Sequence, residues 1–89
     1  MDASTWIAVA SIVSSGLAIS IGGIGPALGE GRALAQALAA IAQQPDEAPN
    51  ITRTLFVGMA MVESTAIYAF VISMILLFAN PFWNQVTAP

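Results

Sequence analysis

From Ser4 to Gly29, 26 residues in succession, no side chain carries a charge, and none does from Ser64 through Pro89. A helix crossing the hydrocarbon core of a bilayer needs about 20 predominantly apolar residues. The first run meets that length alone. The second meets it if Glu63, the single charge after Arg53, is counted as an internal carboxylate. Only seven charged side chains serve all 89 residues: Asp2, Glu30, Arg32, Asp46, Glu47, Arg53 and Glu63. With 57% hydrophobic residues and a mean hydropathy of +0.81, the surface needs lipid or further copies of the chain as its solvent.

The same composition removes several functions. No cysteine or histidine is present, which excludes disulfides, thiolate nucleophiles, zinc fingers and imidazole acid–base chemistry. A net charge of -3 with two basic residues argues against nucleic acid as a partner. Asp2 stands where a secretory signal would be basic, and the apolar run exceeds an ordinary signal core.

The interruption between the runs is Gln43-Gln44-Pro45-Asp46-Glu47-Ala48-Pro49-Asn50. Two prolines four apart among polar residues stop a regular helix. The expected architecture is all-α, a transmembrane two-helix hairpin in a single domain over residues 1–89. Its helix 1 spans about 4–43, its loop 44–49, its helix 2 about 50–80, and its C-terminal tail 81–89. Asn50 is the expected cap of the second helix, Pro81 its stop, and Trp6 and Trp83 interfacial anchors at one end. The only basic residues, Arg32 and Arg53, lie toward the loop, which places the loop in the cytoplasm and the termini outside.

Gly16, Ser20, Gly23, Ala27, Gly31, Ala35 and Ala39 recur at three- and four-residue steps along one side of helix 1, widened by Gly22, Gly25 and Gly29. Helices associate in lipid by close packing over small residues. A stripe this long predicts assembly of first helices from several copies. The bulkier second helices, with Phe56, Met61, Phe70 and Phe78, then form an outer layer facing lipid.

Glu30 and Glu63 interrupt the two apolar helices at nearly one level, 14 residues before Gln44 and 13 after Asn50, or roughly 20 Å from the turn. They meet either within one hairpin or across neighbouring copies. An intramembrane acid is costly and persists mainly where it functions. Two close carboxylates need a shared proton or a cation between them. Ser64, Thr65 and Tyr68 add oxygen ligands of the kind hard cations prefer. The plain alternatives are a Glu30 that snorkels or bonds Arg32 or Gln36, and a Glu63 held permanently protonated to fix register. A stable ion pair would prevent reversible binding, so Arg32 is expected to reach toward the cytoplasmic interface.

No catalytic constellation is present. Gly23–Gly31 contains a glycine-rich string, but it lacks the Lys-Ser/Thr of a phosphate loop and follows no strand. A self-assembled channel needs polarity along the whole path, whereas each helix is polar at one level. One buried site suits a carrier that loads, moves past lipid only when neutralised, and unloads.

The glycine-rich first helix, the polar loop at Gln44-Pro45, the mid-membrane Glu63 and the terminal Phe78-Ala79-Asn80-Pro81-Phe82 closely resemble the proteolipid, or c subunit, of F-type ATP synthases. The resemblance implies a closed cylindrical ring of identical hairpins, N-terminal helices inside and C-terminal helices outside, in the F0 sector. The ring turns against the a subunit and touches the gamma and epsilon subunits of the central stalk with its loops. Ion passage is thereby coupled to ATP synthesis or hydrolysis by a chain that is not itself catalytic. The implied setting is the bacterial inner (plasma) membrane, with lipid around the ring and no cofactor.

Met61-Val62-Glu63-Ser64-Thr65-Ala66-Ile67-Tyr68 is similar to the family's sodium-type signature. That likeness makes Glu63 the main ligand of Na+, the Met61 carbonyl and Ser64 hydroxyl further ligands, Thr65 the holder of a water, and Tyr68 the latch on Glu63. Many sodium-type members have glutamine where this chain has Glu30. A second carboxylate is compatible with Na+ if one of the pair keeps a proton, and H+ alone is the alternative cargo. The loop carries Gln43 where the family usually has arginine, and Ala27 replaces one glycine of the repeat, which points to a large ring.

Overall fold

The computed structural model describes residues 2–87. Helix α1 runs Ala3–Gln43, a single 3-10 turn covers Pro45–Glu47, α2 runs Ala48–Phe78, and a short α3 covers Trp83–Thr87. The two long helices lie antiparallel in a slab of 67 × 17 × 10 Å. At about 1.5 Å per residue, the 41 residues of α1 extend some 60 Å, well beyond one bilayer core. The fold is the predicted all-helical hairpin with two long apolar helices, each able to cross a membrane.

Each boundary has a local cause. Asp2 caps α1, its Oδ1 accepting from the Thr5 amide and the Ser4 hydroxyl at 2.8 Å each. Pro26 is accommodated inside α1, although its ring removes one backbone donor. At the loop, Gln44 N donates to Ala40 O at 2.9 Å and Glu47 N to Gln44 O at 3.0 Å, so the chain reverses through one tight turn. Helix α2 then starts at Ala48, before Pro49, and Asn50 is not its cap. A proline's fixed φ suits the first turn of a helix, where its missing N–H goes unused, so α2 can begin ahead of it. Asn50 instead donates from Nδ2 to Glu47 Oε2 at 3.0 Å.

At the far end α2 stops at Phe78, two residues short of the expected limit. Pro81 disfavours helical backbone at Asn80. The Asn80 side chain takes over, its Oδ1 accepting from Phe82 N at 2.9 Å. The segment expected to be a plain tail forms α3 and packs against α1; residues 88–89 of that tail lie outside the described residues.

Among the described residues no hydrophobic side chain is buried; the only buried residues are Ser15 and Ser73. Ile12, Leu28, Phe56, Met61 and Phe78 are all more than half exposed. The molecule is inverted relative to a water-soluble fold. The glycines divide into two groups. A Cβ on Gly22 would fall 2.7 Å from the Ala69 Cβ, so glycine there permits the close approach of α1 to α2. Gly29 also turns toward α2, 3.9 Å from a Val62 methyl by the same construction, whereas Gly16, Gly23, Gly25 and Gly31 face open space.

Candidate ion site and family membership

Glu30 lies 13 residues before the end of α1 at Gln43 and Glu63 lies 15 after the start of α2 at Ala48, so both stand roughly 20 Å from the turn. The helices, which approach closely at Gly22–Ala69 and Gly29–Val62, bring the Glu30 and Glu63 carboxyl groups together within one hairpin. Glu63, not Arg32, is the charged group that Glu30 meets. Glu30 is half-buried between the helices and Glu63 exposed on the hairpin's flank. Gly31, beside Glu30, faces open space.

The remaining predicted ligands distribute differently. Ser64 is half-buried, and its Oγ donates to the Ala60 carbonyl at 3.1 Å. Its oxygen lone pairs are thereby left to accept or to ligate. Met61, Thr65 and Tyr68 are exposed, Met61 and Tyr68 by 71% and 67%. At about 100° per residue, these three occupy a narrow arc of α2 roughly 140–200° from Glu63. One hairpin therefore joins the two carboxylates but directs Thr65 and Tyr68 away from them. Among the described residues no hydrogen bond links either to Glu63, and no group of three acidic or other metal-ligating side chains forms.

Sequence reasoning missed a second polar contact, far from the carboxylates. Ser73 Oγ donates to the Ser15 carbonyl at 2.8 Å, and Ser15 Oγ to the Ser73 carbonyl at 3.2 Å. Nearer the termini Asn80 donates to the Ser11 hydroxyl. The serine spacing of four on α1 was the available signal, since buried hydroxyls in an apolar setting require partners. A groove of about 560 Å³ beside Ser11, Asn80 and Trp83 lies at this end, remote from the acids.

Residues 13–76 match the family model of the ATP synthase C subunit. The second ATP synthase c subunit (c 2) of Cereibacter sphaeroides is 58% identical over 76 residues, covering 85% of this chain and 92% of that one. The first ATP synthase c subunit (c 1) of Syntrophotalea carbinolica is 46% identical over 86 residues, covering 97% and 93%. The chloroplastic ATP synthase c subunit of Galdieria sulphuraria is 46% identical over 79 residues, covering 89% and 95%. With its two apolar helices, this is a membrane protein, and the chain belongs to the ATP synthase C-subunit family.

Proposed function

We propose that the chain is a rotor-ring component of the F0 sector of an ATP synthase, carrying Na+ on the Glu63/Glu30 site, with H+ as the competing cargo. The observation that carries this reading is the meeting of two carboxyl groups, one from each of two long apolar helices. Two negative charges about 4 Å apart repel by about 4 kcal/mol at an effective dielectric of 20. A cation between them, or a proton on one, removes that repulsion and masks the charge that hydrocarbon rejects. An occupied hairpin can then face lipid, while an empty one is confined to a polar sector supplied by the a subunit. That restriction turns ion entry and exit into rotation of the ring.

Ser64 supports Na+ over H+. With its proton engaged at Ala60, the hydroxyl offers an oxygen rather than a donor to whatever sits beside Glu63. The outward arc of Thr65 and Tyr68 fits a site completed between neighbouring copies, each supplying carboxylates to one side and further oxygens to the other. The open face of Gly16, Gly23 and Gly31 gives the inner helices room to approach. Asp46, Glu47 and Arg53 at the loop are exposed and available to gamma and epsilon. We place the ring in the bacterial inner membrane with the loops in the cytoplasm.

The test is carbodiimide modification of Glu63 in the assembled ring at neutral pH. Protection by sodium chloride but not potassium chloride is the expected result; equal labelling in both salts assigns the cargo to protons.

A further inference from the structure

Ser15, Ser20, Ser64 and Thr87 each donate a side-chain hydroxyl to the carbonyl one turn earlier in the same helix. Ser73 departs from this habit. Its hydroxyl crosses the hairpin to the Ser15 carbonyl at 2.8 Å. Ser15 reaches back at 3.2 Å, but it divides one proton between the Ser73 carbonyl and the Ser11 carbonyl, the latter closer at 2.7 Å. The two serines are 3% and 5% exposed, buried where every hydrophobic side chain among the described residues is not. Sliding would return the Ser73 hydroxyl to a carbonyl of its own helix and forfeit the shorter bond that crosses the hairpin, so the contact resists sliding of one helix along the other.

Between the serines and the carboxylates, Gly22 approaches Ala69 and Gly29 approaches Val62, and neither of these contacts is a directional bond. A directional bond is what distinguishes one register from the next. We infer that Ser73 is a positioning residue for the carboxylate pair: its cross-helix hydroxyl sets the register of α2 on α1, and that register holds Glu63 level with Glu30. The geometric part stands independently of the cargo, whereas the consequence for binding rests on the ion-carrying reading.

The bonding is asymmetric, and so is the prediction. Ser15→Ala keeps the backbone carbonyl that Ser73 uses and deletes only the longer, shared bond. Ser73→Ala deletes the 2.8 Å bond, while the Ser15 hydroxyl keeps its partner at Ser11. Both changes remove one oxygen from the same buried contact, so a packing effect would make them alike.

Register is read by disulfide formation in the G29C/V62C double variant of the assembled ring in membranes. Adding S73A should lower the equilibrium cross-linked-to-free ratio about three- to fivefold, the change expected for one lost hydrogen bond; adding S15A should leave it within about twofold. The rate of Glu63 carbodiimide labelling at one fixed pH without sodium, measured without the cysteines, should change about threefold in S73A and coincide with the parent in S15A. Glu30 is the group facing Glu63 in that measurement. If S73A fails to assemble, S73C replaces it in the labelling experiment, keeping the volume with a weaker donor. Equal behaviour of the two serine variants, or unchanged cross-linking in S73A, overturns the inference. Altered cross-linking with an unchanged labelling rate also overturns it, because register would then not govern the pair. Loss of sodium protection in the parent would instead count against the cargo assignment alone.

Discussion

At the scale of single residues, Glu63 and Ser64 differ in what their removal should do. Glu63→Gln keeps the volume but removes the titratable charge, so coupled ion transport should be lost while the helix is retained. Ser64→Ala takes away one oxygen ligand. If that ligand contributes about 1–1.5 kcal/mol, the sodium concentration giving half-protection of Glu63 should rise about five- to thirteenfold, with proton-dependent labelling much less changed. Asp2 offers a contrast outside the membrane span. The Thr5 amide bonded to its carboxylate, assisted by the Thr5 and Ser4 side chains, holds it below the ordinary value of 3.8. A depressed folded-state value means that the cap is fully present above the ordinary aspartate range and is lost as pH falls through the lower value. Amide exchange at Thr5, compared between Asp2→Ala and the parent, should therefore differ at neutral pH. The difference should close in strong acid, after correction for the intrinsic exchange rates.

At the scale of elements, the two groups of glycines make opposite predictions. Gly22→Leu should drive α1 from α2, because even a Cβ meets Ala69 at 2.7 Å and Ala69 offers no flexible end to retreat. Gly23→Leu should leave the hairpin intact, since that position faces open space, but stop copies from packing. Disulfide cross-linking between α1 and α2 in detergent, with ring migration on a mild gel, separates these outcomes. Both helices and the level of the acids were legible in the sequence, because uncharged run length, two prolines and the 1.5 Å rise together determine them. Helix boundaries were less so: Pro49 reads equally as a residue before a helix or within its first turn. The α3 segment gave no periodic signal over five residues. Ser15 and Ser73 stand 58 positions apart, and nothing local declares which hydroxyl will cross the gap.

At the scale of the whole molecule, the candidate site was only half legible. Counting brought Glu30 and Glu63 to one depth but left open whether they meet inside a hairpin; the structure joins them within one chain. It sends Thr65 and Tyr68 the other way, which a linear motif around Glu63 does not reveal. A single hairpin exposing this much apolar surface is expected to remain insoluble without lipid or detergent. The purified ring alone should not conduct, because its polarity is confined to one level. Sustained ion current from the ring in a planar bilayer would favour a channel instead.

The central claim is that a cation held at Glu63 is what the ring transports. Cation uptake into vesicles containing the complete ATP synthase complex, driven by ATP and measured with radioactive sodium alongside a pH-sensitive dye, tests it most directly. The predicted result is ATP-dependent uptake by the parent complex and none of either ion when every copy carries Glu63→Gln. Uptake persisting in that variant would contradict it.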